Sequence, residues 1–176
     1  VAMSLLHLPG VFPSTMATAL LPVVAQSAPS SATLKKRINL SLAYAGIISF
    51  PVALVFHQYG AYFCDLLFHC PEAGEALSIL AYGAVFFYLQ PALTSILQGL
   101  GKVKTLLFHL AVSGSLLIAG FYFLVPIPAL GIKGAAYACV ISTATGCLLH
   151  LICTKHCTGL RVDWLAFLGK PILSCL

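Results

Sequence analysis

Charge is what this sequence lacks most. Only 7% of its 176 residues are Asp, Glu, Lys or Arg, against about 25% in an ordinary soluble domain. Nine basic and four acidic side chains cannot clothe a chain of this size in a polar shell, so a water-facing exterior around one core is excluded. The acidic residues are Asp65, Glu72, Glu75 and Asp163, and none falls inside an apolar run. Paired carboxylates at membrane depth and a buried acidic relay are therefore missing. So are a glycine-rich phosphate loop behind a strand and any motif around a Ser, His and Asp set. No catalytic residue, cofactor or metal is expected, and the chain does not read as an enzyme.

The basic residues form no stripe of the kind that binds nucleic acid; they sit in short connectors, and no nucleic-acid partner is expected. Seven Cys is an odd number and cannot pair completely within the chain. Cys139, Cys147 and Cys153 lie in or at the end of an apolar run, where a thiol packs as a small apolar group. Cys64 and Cys70 leave a disulfide open in an oxidising compartment. His150, Cys153 and Cys157 are spaced to share one helix face, with His156 nearby. Structural zinc draws ligand pairs from separate elements, so an interfacial helix end rich in His and Cys is the preferred reading.

What the sequence has in abundance is hydrocarbon: 60% hydrophobic residues and a mean hydropathy of +1.02. A bilayer core needs about 20 mostly apolar residues per helix. Such runs cover about residues 3–25, 38–58, 76–100, 105–125 and 132–154, and another begins at 164 and runs to 176. The expectation is an all-α integral membrane protein, one membrane-embedded region over 1–176 with five spans and the start of a sixth. Residues 26–37 read as a solvated connector ending in Lys35, Lys36 and Arg37, and residues 59–75 as an amphipathic connector. Gly99, Gly101 and Lys102 supply a glycine stop and a basic last turn for the third span. Alternate connectors carry Lys35, Lys36, Arg37, Lys102, Lys104, Lys155 and Arg161, whereas the opposite set holds Lys133 with Asp65, Glu72 and Glu75. The basic set is assigned to the cytoplasm. Residues 1–25 have no basic n-region and too long an apolar stretch for a signal peptide, and the chain reads as a piece of a longer transporter or a truncated gene product.

Pro9, Pro13, Pro22, Pro51 and Pro91 fall within the runs and predict kinks. Gly134, Ala138, Ser142 and Gly146 recur every fourth residue and predict a face on which another helix approaches closely. Ser14, Thr15, Thr18, Asn39, Ser95 and His109 are uncharged polar groups within spans, for which bonds to a neighbouring helix are expected. Gln90, Thr94 and Gln98 form a polar stripe on the third span, with Lys102 one turn beyond; these four are the candidate cavity residues. Phe87 and Ile96, on the other side of that helix, are expected to meet lipid.

Residues 89–102, LQPALTSILQGLGK, resemble a segment of the stage V sporulation protein B family of polysaccharide transporters. Residues 131–138, GIKGAAYA, look like a helix start of the same family, and Leu21-Pro22, Pro51 and Lys170-Pro171 follow in the expected order. The resemblance implies the eighth helix through the start of the thirteenth in a fourteen-helix member of the multidrug/oligosaccharidyl-lipid/polysaccharide flippase superfamily. It implies one lobe of a two-lobe flippase-like transporter of the cell envelope, multi-pass in the bacterial plasma membrane. The implied substrate is an undecaprenyl-linked oligosaccharide or peptidoglycan precursor, moved by alternating access without an ATP site. The implied partners are the lipid bilayer, the lipid-linked sugar and the N-terminal lobe. Where family members often carry a Lys in the helix over 105–125, this chain has Ser113, Gly114 and Ser115. Two alternatives remain: a cation-coupled multidrug exporter, for which an intramembrane acidic residue is missing, and a non-transport subunit of a glycan polymerase or glycosyltransferase.

Overall fold

The computed structural model describes residues 2–26, 32–69, 72–127 and 130–159. Six helices follow one another: α1 (Ala2–Gln26), α2 (Ala32–Phe68), α3 (Glu72–Tyr82), α4 (Ala84–Gly99), α5 (Val103–Leu124) and α6 (Gly131–Thr158). Among the described residues there is no strand. Four helices are long and apolar enough to cross a membrane, and the α3–α4 pair, bent by 58°, makes up to five. The span expected over 164–176 and the Cys70 side of a Cys64–Cys70 disulfide lie outside the described residues.

Several boundaries differ from the hydropathy reading: α2 already begins at Ala32, so Lys35, Lys36 and Arg37 of the expected solvated connector are helical. α2 does not stop near Gln58 but continues through the expected connector to Phe68, followed by His69 at a φ of 51°. Hydropathy registers where lipid ends, whereas a helix ends where its backbone is interrupted, and Pro71 is the first proline after Pro51. The third run is not one helix either. It breaks at Gly83, where an added Cβ would lie 2.9 Å from the side chain of Val140 on α6. Only a glycine lets the two backbones come so close at the bend. By contrast α1 runs as helix through Pro9, Pro13 and Pro22, and α4 through Pro91, so the sharp bend falls at a glycine and not at the prolines that predicted kinks.

α4 is the central helix, packed on α1, α2 and α6 and touching α5. One cluster joins Ala17, Leu20 and Val24 of α1 with Leu34, Ile38 and Leu42 of α2 and Leu89, Ala92, Leu93 and Ile96 of α4. A second joins Leu5 and Leu6 with Phe56, Leu77, Leu80, Ala84 and Tyr88. Lipid tails are as apolar as Leu, so the gain here comes from tight packing more than from escape from water.

The helix ends confirm the expected stops. Gly101, at a φ of 71°, ends the turn after α4, and the Lys102 N–H donates to the Leu97 carbonyl. Gly159, left-handed at 61°, caps α6, whose last turn holds Lys155 and His156. A Cβ on Gly159 would lie 3.7 Å from Lys35 Nζ, and Lys102 lies within electrostatic reach of Cys153 near the same end of α6. At the other end of α6, Lys133 Nζ pairs with Glu75 of α3 at 3.0 Å. The basic connectors thus converge on one end of the bundle and the Glu75 connector stands at the other.

Candidate functional site

The three candidate residues on α4 and Lys102, in the turn beyond it, do not share one environment. Gln90 and Thr94 are half-buried, while Gln98 and Lys102 are exposed. Gln90 Nε2 lies 3.8 Å from where a Cβ on Gly146 would stand, and Lys102 acts on Cys153, so both ends of the stripe look toward α6. Ile96, expected to meet lipid, is fully buried among α1 and α2. Phe87 packs against the second cluster. The physical reason is that α4 is surrounded: its apolar side is covered by protein, which is chemically indistinguishable from lipid in a sequence.

The polar groups of α1 also behave otherwise than expected. Ser14 donates to the Gly10 carbonyl, Thr15 to that of Phe12, and Thr18 to those of Ser14 and Thr15. Each hydroxyl is satisfied by its own helix and needs no neighbour, which leaves it free to face a hollow. His7, Ser14, Thr15 and Thr18 line one such hollow along α1. Next to it, α1 and α2 enclose an open groove of about 360 Å³ between Thr15, Leu20 and Val23 on one side and Arg37, Leu40, Ser41 and Tyr44 on the other. Its walls are mostly hydrocarbon, and Arg37 is the charged group at its edge. The residues alone did not single out the hollow along α1, although His7, Val11, Ser14 or Thr15, and Thr18 recur at helical spacing and mark one face.

α5 and α6 run antiparallel with a steady register. A Cβ on Gly134 would lie 2.5 Å from the Leu124 carbonyl oxygen, and one on Gly120 would lie 2.7 Å from Ala138 Cβ. Further along, Ser142 donates to the Ser113 carbonyl at 2.6 Å, and the ring centroids of His109 and His150 are 5.3 Å apart. The small-residue stripe is therefore the α5-facing side of α6, and it continues at the same four-residue spacing into His150, Thr154 and Thr158, all buried. Among the described residues no three His, Cys, Asp or Glu side chains gather to hold a metal; Cys153 and Cys157 are free thiols that share a hydrogen bond.

A scan against protein-family models matches residues 1–124, the stretch from α1 through the end of α5, to MatE. Searches of the curated proteins and of the solved structures return no match.

Proposed function

Because the chain belongs to the MatE family of multi-pass membrane transporters, in the multidrug/oligosaccharidyl-lipid flippase superfamily, we propose that it serves a flippase for a lipid-linked sugar precursor. In this reading the protein sits in a bacterial plasma membrane and moves an undecaprenyl-linked oligosaccharide or peptidoglycan precursor by alternating access. The observation that carries it is the groove between α1 and α2. Its hydrocarbon walls of Leu20, Val23 and Leu40 suit a polyprenyl chain, and Arg37 at the edge suits the pyrophosphate, which a guanidinium grips through two parallel hydrogen bonds. The hydroxyls of Ser41 and Tyr44 stand where a sugar-phosphate can be met by polar contacts. The LQGLGK segment at the α4–α5 turn adds the resemblance to the polysaccharide transporters.

The test is flipping by the transporter in liposomes, read as the fraction of a fluorescent polyprenyl-pyrophosphoryl sugar that becomes accessible to an impermeant quencher. Arg37→Ala should slow it by about tenfold or more, the equivalent of one charge-assisted contact, and Arg37→Lys should recover part of the rate. Undiminished flipping by Arg37→Ala removes the groove from the path. Export of a lipophilic cation by a protein that flips no lipid-linked sugar would place it with the multidrug exporters.

A further inference from the structure

His150 is fully buried and His109 nearly so, at 0% and 7% exposure. Both ring nitrogens of His150, Nδ1 of His109 and the hydroxyl of Thr154, one turn on, have no hydrogen-bond partner among the described residues. Four buried polar atoms without partners at one helix contact are unusual, and such groups ask for a ligand. The elements around them narrow its chemistry. α4, α5 and α6 contain no Asp or Glu. The ionisable groups nearest His150 on its own helix are the thiols Cys147 and Cys153, and in the turn between α4 and α5 stands Lys102, within electrostatic reach of Cys153. α5 contributes His109, α2 brings Lys35 beside Gly159, and the Glu75 of α3 is spent on Lys133 at the far end of α6. Lysines already hold their proton and thiols only release one. Within the interior of this three-helix contact the two imidazoles are the groups able to gain a proton.

We propose that His109 and His150 form an intramembrane proton-binding site that takes one proton between them, entering from the end of the bundle that carries Lys102 and Lys104. Two imidazoles joined by N–H···N need ring centroids about 5 Å apart, from a nitrogen separation near 3 Å and two ring radii; the pair stands at 5.3 Å with planes 32° apart. Neutral, the pair leaves nitrogens unpaired. With one proton it becomes an imidazolium donating to an imidazole, and the positive charge is spread over two rings. The proton leaves a hydronium or buffer acid, whose conjugate base keeps the electron pair. A second proton would place two cations at this separation in a weakly polarisable interior, and Coulomb repulsion refuses it. His109 lies two turns inside α5 and His150 two turns from the end of α6, a depth that a proton can reach along the Thr154 and Thr158 side of α6. Occupancy draws α5 and α6 together, because the N–H···N bond that a neutral pair can also form becomes charge-assisted, shorter and stronger once the pair holds the proton. This site does not depend on which substrate the transporter carries.

Nitrogen-15 spectra of the histidine-labelled full-length protein in lipid nanodiscs test it. The chain has six histidines, and His109→Gln and His150→Gln identify the two resonances of the pair. In the unaltered protein these should shift together with one common midpoint and a total uptake of one proton, distinct from the other four. Should both rings stay neutral until the protein unfolds, as in a pair bridged only by water, there is no proton site. Two separate midpoints would equally overturn the shared proton, as would a His150 titration unchanged by His109→Gln. Should either variant fail to fold, the two resonances are identified in the unaltered protein by the through-space nitrogen-15 contact expected of rings with centroids 5.3 Å apart, and the common midpoint is read there.

Discussion

Tyr88 on α4 fills the notch that Gly10 leaves on α1 and donates its phenol proton to the main-chain oxygen of Leu6 at 2.7 Å. A Cβ on Gly10 would stand 3.1 Å from the ring, so the contact that lets α4 rest on α1 depends on both residues. Tyr88→Phe keeps the ring and loses one neutral hydrogen bond, which should lower stability by about 0.5–1.5 kcal/mol. Tyr88→Ala also leaves a cavity and should cost about 3–5 kcal/mol. Reversible unfolding in mixed micelles measures both, and equal losses in the two variants would mean that the ring is not packed as described.

Gly134 gives the sharpest packing test. An added Cβ meets the Leu124 carbonyl at 2.5 Å, so Gly134→Ala should already reduce folded yield and Gly134→Leu should abolish it; Ala138→Leu should act in the same direction by pressing on Gly120. Gly114, on α5, has nothing within 4 Å of its added Cβ, and Gly114→Ala should be neutral or stabilise by up to about 1 kcal/mol. Size-exclusion yield with thermal melting reads the contrast. A Gly134→Leu protein that melts like the parent would place the stripe against lipid.

Sidedness follows from where the charges gather. In a cysteine-free background, single Cys at Lys36 and at Lys104 should react with an impermeant maleimide from the cytoplasmic side alone, and Cys at Glu75 from the outside alone. Reaction of Lys36→Cys or Lys104→Cys in intact cells would reverse or refute the assignment.

Accessibility separates the two candidate paths through the bundle. Ile96→Cys should resist a bulky thiol reagent because Ile96 has 0% exposure, whereas Gln98→Cys should react. Cys at Ser41 or Tyr44 should react and, once modified, block flipping, since both line the groove. If modification at Gln98 blocks transport and modification at Ser41 and Tyr44 does not, the path runs along the α4 stripe and not through the groove.

Much of this architecture was legible in the residues. The apolar runs over 3–25, 105–125 and 132–154 match α1, α5 and α6 closely, because a helix confined to lipid must be apolar along its whole length. The small stripe on α6 was equally plain, since a four-residue recurrence survives whatever lies opposite. Three features were not. The bend at Gly83 depends on Val140 pressing from α6, a contact some 57 positions away that no local pattern records. The burial of Ile96 was hidden because protein and lipid demand the same side chains. The His109–His150 pair required the α5–α6 register, which becomes readable only after the stripe is extended through Gly146 to His150 and matched to Ser113 and His109. The polar spacing on α1 pointed in principle to the hollow beside the groove, but the groove's own α1 wall is apolar apart from Thr15, and Arg37 of its other wall came from a segment that hydropathy had assigned to a connector.

The unbroken course of α2 gives it a mechanical character. Its 37 residues make a rod about 55 Å long at 1.5 Å per residue, well beyond the roughly 30 Å of hydrocarbon it crosses. Arg37 sits near one end, and about two thirds of the way along the helix His57 Nε2 lies 3.2 Å from the hydroxyl of Tyr82 on α3. The guanidinium at the edge of the groove and the imidazole that meets Tyr82 are therefore carried on one continuous helix, about 30 Å apart along its axis, and the stretch beside Arg37 is itself held by Leu34, Ile38 and Leu42 in the core.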